Sequence, residues 1–143
     1  MERVGRDSQV GFCAMWFNKE LDPLWHEVIE PAIVQAGYEA KRADKEEHNN
    51  LADDELIAWI RRSRFIIADL TNHSHGVYFE AGFAMGLGLP VIWMVRKDDA
   101  EGIHFDNRQY QRIEWEPDKL DDAKNRVQDR IVATIGEGPL IKH

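Results

Sequence analysis

The run Arg64-Phe65-Ile66-Ile67-Ala68-Asp69-Leu70 is apolar at consecutive positions until a carboxylate closes it at Asp69. A strand wetted on one side would alternate. One that is apolar on both faces belongs in the middle of a parallel sheet, with helices above and below it. The flanking sequence agrees. Upstream, Leu56, Ile57, Trp59 and Ile60 follow helical spacing from Asp53; downstream, residues 77–87 read as a helix and residues 90–95 as another fully apolar strand.

The same alternation extends to both ends. Residues 9–15 form a short buried strand, and Asp22 followed by Pro23 reads as an N-cap with proline at the first helical position. Apolar residues at Leu24, Val28, Ile29, Ala32, Ile33 and Ala36 carry that helix to Gly37, with a kink expected at Pro31. Residues 38–43 give a second strand, residues 111–115 a short fifth one, and residues 118–135 a closing helix stopped by Gly136. Strands alternating with helices, joined by right-handed crossovers, imply a flavodoxin-like open parallel α/β sheet of about five strands with helices on both faces, a single domain over residues 1–143.

Bulk composition narrows the partners. The 143 residues carry a formal charge of −8, which argues against a nucleic-acid polymer, since phosphate-backbone binding needs a surplus of Lys and Arg. A small anion held by backbone N–H groups stays open. The single cysteine, Cys13, lies in an apolar run and reads as a buried, inert thiol suited to a reducing cytoplasm. No stretch reaches the roughly 18 apolar residues of a membrane span, and the polar start lacks a signal peptide's apolar core.

Ligands of such sheets bind beyond the carboxyl ends of the strands. That rim holds Trp16 and Phe17 after the first strand, residues 44–50 with Asp44 and His48 after the second, residues 69–76 after the third and residues 96–108 after the fourth. Trp16 and Phe17 either stack on a base and wall a sugar or pack in the core. Asp69 must be hydrogen-bonded or used. Ser74 and Gly76 are either ligands of a phosphate or sugar hydroxyl, through a hydroxyl and an unhindered N–H, or plain turn residues. A helix starting near Val77 puts Glu80 in its first turn, where the helix dipole favours an ionised carboxylate; the alternative is a glutamate completing an N-cap with Ser74. Gly82, Gly86 and Gly88 form no phosphate loop and are expected to let the helix pack closely on the sheet. His48, His73 and His75 lack the companions of a usual metal site, so no metal is expected; no nucleophile elbow, Walker loop or Rossmann loop occurs, and no organic cofactor is implied. Residues 104–108 concentrate polar groups at the same edge and are candidates for a lid or an oligomer contact.

Together, Phe65-Ile66-Ile67-Ala68-Asp69-Leu70-Thr71, Gly76-Val77-Tyr78-Phe79-Glu80-Ala81-Gly82 and Gly88-Leu89-Pro90-Val91-Ile92 resemble the nucleoside 2-deoxyribosyltransferase superfamily, which includes the 2'-deoxynucleoside 5'-monophosphate N-glycosidases and lies near the TIR-like NAD hydrolases. Phe12-Cys13-Ala14-Met15-Trp16-Phe17 is similar to that group's first strand and substrate loop. The resemblance implies that Glu80 attacks the anomeric carbon as the base leaves, and that water or a second base then releases the sugar. It implies a serine at position 74 for a 5'-phosphate, where transferases carry an aspartate, and therefore a nucleotide substrate. It also implies a homodimer or larger assembly. One position departs from the pattern: Leu56 stands where both enzyme groups place an aspartate that assists the leaving base. Either a neighbouring acid (Asp53, Asp54, Glu55 or Asp69) has taken over that step or it has been lost, leaving a weak catalyst or a nucleotide-sensing module.

Overall fold

A computed structural model describes residues 7–42, 54–102 and 111–142. Five strands, β1 (Val10–Ala14), β2 (Glu39–Arg42), β3 (Phe65–Asp69), β4 (Val91–Arg96) and β5 (Ile113–Trp115), form one all-parallel sheet in the order β2-β1-β3-β4-β5. This is the flavodoxin-like arrangement expected from the sequence, with β3 central and buried along its whole length.

Side chains of β3 alternate between two cores. Phe65 and Ile67 join Leu24, Ile29, Ile33, Ile113, Trp115, Val127 and Ile131 on one face, under α1 (Asp22–Leu24), α2 (Glu30–Gln35) and α5 (Leu120–Thr134). Ile66 and Ala68 join Phe12, Leu56, Ile60, Val77, Ala81, Ala84 and Trp93 on the other, under α3 (Asp54–Arg62) and α4 (His75–Gly86). Cys13 lies fully buried in the first of these cores. Among the described residues no helix is long and apolar enough to cross a membrane.

Three local expectations need correction. The first helix is capped by Asn18 rather than Asp22: Asn18 Oδ1 accepts the Glu20 N–H at 2.9 Å and starts the 3-10 turn Lys19–Leu21, so Asp22 is already helical. The kink assigned to Pro31 takes the form of a π turn, Trp25–Ile29, in which the Glu30 N–H reaches back to the Trp25 carbonyl. Proline would drive its ring into the carbonyl four residues earlier in a straight α-helix, and the wider turn accommodates it. Lastly, Gly82, Gly86 and Gly88 do not face the sheet. All three are exposed, a Cβ at each would meet nothing within 4 Å, and Gly88 takes φ +79° just past the end of α4. Close approach of α4 to the sheet comes instead from Gly76, Ala81 and Ala84 on its buried face.

Candidate active site

Helix α4 begins two residues before the sequence suggested. Ser74 is extended (φ −61°, ψ 124°) and acts as N-cap, and the first intrahelical bond runs from the Tyr78 N–H to the Ser74 carbonyl at 3.2 Å. The N–H groups of His75, Gly76 and Val77 are thus the orphan donors of a helix start. The Ser74 side chain makes no capping bond. Glu80 consequently sits in the second turn, too far along for a capping box with Ser74 and beyond the turn where the dipole acts most strongly. It is fully buried, on the helix face that carries Val77, Ala81 and Ala84 towards the sheet.

Asp69 ends β3 and is also fully buried. Its Oδ1 accepts from Trp115 Nε1 at 2.8 Å and its Oδ2 from the Thr71 N–H at 3.3 Å. Following the alternation of Phe65 and Ile67, it lies on the face covered by α5, opposite the face on which α4 packs. Burial pushes its carboxyl up to about 6, against the hydrogen bonds from Trp115 and Thr71 and the charge of Arg96, which pull it down. Trp115 is a partner that local patterning could not supply. It stands 46 residues away and reaches across β4; the only signal was an aromatic residue ending a strand at the same rim.

Loop 71–74 joins these two carboxylates. Asn72 and His73 both have positive φ (66° and 51°). The Arg96 N–H donates to Thr71 Oγ1 at 2.9 Å, the Asn72 N–H to Asp99 Oδ2 at 2.9 Å, and the His73 N–H to the Leu70 carbonyl at 2.8 Å. His73 Nδ1 and Tyr78 Oη lie 3.3 Å apart, and His75 is the exposed first residue of α4. Among the described residues no three His, Cys, Asp or Glu side chains gather as metal ligands.

Across the rim, Trp16 is half-buried against the first core, whereas Phe17 is 38% exposed. Arg42, which the sequence did not single out, ends β2 opposite Cys13, with its guanidinium 5.6 Å from the Phe17 ring, 5.2 Å from the Trp25 ring and 3.8 Å from Asp22. Arg96, the cation ending β4, is surrounded by Asp98 (2.7 Å), Asp99 (3.7 Å) and Glu20 (4.0 Å). Leu56 is buried in the second core, while Asp54 and Glu55 are exposed at the start of α3. Asp44, His48, Asp53 and residues 104–108 lie outside the described residues.

The structure therefore places Ser74, Gly76 and Glu80 at the N-cap and within the first two turns of α4, sets Trp16 and Phe17 beyond the adjacent strand β1, and puts Asp69 on the far face of the sheet. A comparison with curated proteins returned no match. A model of the nucleoside 2-deoxyribosyltransferase family matches residues 14–112, well over half of the chain, and the protein belongs to that family of enzymes, which transfer or hydrolyse the glycosyl bond of nucleosides.

Proposed function

We propose that the protein is an N-glycosidase of (deoxy)nucleoside 5'-monophosphates with Glu80 as nucleophile. The observation that carries this reading is Ser74: an N-cap whose hydroxyl is not spent on capping, next to orphan helix N–H groups and on the same helix as a fully buried glutamate. Such a helix mouth suits a phosphate dianion. The Glu80 carboxylate attacks C1' of the sugar and forms an ester as the bond from C1' to the base nitrogen breaks. The electron pair leaves with the base, which gains a proton. Water then cleaves the ester and regenerates the carboxylate. Phe17, exposed at the rim, supplies a face for the base. The position of Asp69, with both oxygens engaged on the opposite face, supports a role in holding the loop.

Chromatographic detection of free base, with wild type and Glu80→Gln offered nucleoside monophosphates, nucleosides and NAD, tests the proposal. Base release by wild type that Glu80→Gln retains in full would sink it. One observation favours a second reading. With Leu56 sealed in the core, no carboxyl occupies that position, and a base that is already cationic, such as the pyridinium of NAD, needs no proton to leave. Release of nicotinamide in preference to other bases would select that reading.

We also infer a cytoplasmic homo-oligomer. Exposed Phe79 and Met85 flank Gly82 and Gly86 on the outer face of α4, an apolar surface suited to a second copy. A monomer in sedimentation at micromolar concentration would count against it.

A further inference from the structure

We propose that Asp99 is a positioning residue for phosphate recognition, fixing through the Asn72 N–H the backbone that presents Ser74 and the first turn of α4. The inference rests on the reading of Ser74 given above. Asn72 and His73 are consecutive non-glycine residues in the left-handed region. Such a conformation persists only where its surroundings over-determine it.

The surroundings come from β4 and the turn after it. Most of the loop's bonds are to close neighbours or to main chain: Thr71 to Asp69, His73 to Leu70, and Arg96 to Thr71. Asn72 is different. Its N–H donates to a carboxylate 27 residues away, in the turn Lys97–Gly102, at 2.9 Å. Asp99 is itself constrained, since its side chain is only 28% exposed and the Arg96 guanidinium lies 3.7 Å from the same oxygen. Arg96 also lies 2.7 Å from Asp98, so its charge is shared between the two carboxylates of this turn. Asn72 is two residues before Ser74, and releasing its N–H frees the torsions that set the direction of the serine hydroxyl and of the orphan N–H groups.

Asp99→Ala is expected to raise the KM for a nucleoside monophosphate about tenfold while kcat changes less than twofold, because a charge-assisted bond outside the reacting centre is lost. Asp99→Asn keeps an acceptor oxygen and is expected to recover KM to within about threefold of wild type. Asp98→Ala, which touches Arg96 but not the loop, serves as control. Hydrogen exchange at the Asn72 amide gives a readout independent of turnover: it should accelerate at least about tenfold in Asp99→Ala, with the β3 amides unchanged. Unchanged exchange, or a fall in kcat at constant KM, overturns the proposal. If wild type releases no base from any monophosphate, the functional reading fails by itself, and calorimetric affinity for the same monophosphates together with amide exchange still decides whether Asp99 acts on phosphate binding.

Discussion

The two halves of the carboxyl-end rim are built by different means. Beyond β1 and β2 the side chains meet through rings and a guanidinium, with Arg42 beside Phe17 and Trp25 and with part of the cluster exposed. Beyond β3 and β4 they meet through hydrogen bonds of defined direction, from Trp115 and Thr71 to Asp69, from Arg96 to Thr71 and from Asn72 to Asp99. Stacking tolerates a change of partner, whereas an orphaned buried polar group is costly. On the function proposed above, the aromatic half suits variable recognition and the hydrogen-bonded half suits chemistry that demands fixed geometry.

The largest effect expected from breaking this division is at Glu80. Glu80→Gln should lower the base-release kcat by at least about 10³-fold with the fold intact, since the amide keeps the shape but is a far poorer nucleophile. Single-turnover assay and circular dichroism check the two clauses.

Asp69 should show its effect in stability against pH. Its folded-state value of about 6 lies above its ordinary 3.8, so the native state holds the proton more tightly than the unfolded chain. The resulting stabilisation is complete below pH 4 and is lost as pH rises through 6, a change of about 3 kcal/mol. Asp69→Asn cannot ionise and should lack that decline; denaturant unfolding of both proteins from pH 4 to pH 7 measures it. Parallel profiles would show that the buried carboxyl is not the source. An accompanying collapse of kcat in Asp69→Asn, restored by no change of pH, would instead place Asp69 in the chemistry.

Smaller changes sharpen the contrast. Ser74→Ala should raise the KM for monophosphates about tenfold and leave kcat nearly unchanged, as loss of a ground-state hydrogen bond does. Phe17→Ala should cost roughly fivefold in kcat/KM and alter the ranking of bases, as expected for a stacking surface. Equal losses for every base would mean that Phe17 merely closes the rim.

Much of the scaffold could be read from the chain because its signals are local. The apolar run through β3, the helical spacing of Leu24 to Ala36 and the stop at Gly136 each lie within one element. Element starts were harder. Asn18 captured the first cap because a 3-10 turn precedes the helix, and extended Ser74 began α4 early, which moved Glu80 from an expected first turn to a buried second one. The glycines misled for a related reason: spacing alone does not say which side of a helix faces the sheet, and here the alanines do. Contacts such as Trp115 to Asp69 and Asp99 to Asn72 join residues tens of positions apart, and no periodicity encodes them.

Cys13 is the chain's only cysteine, and it is sealed inside the first core. Thiol reagents should find nothing to modify in the native protein, so a cysteine introduced at exposed His75 can carry a single fluorophore or spin label beside the serine loop. The natural sequence thus supplies a silent background for watching that loop respond to a nucleotide, with unmasking of Cys13 serving as a built-in report of global unfolding.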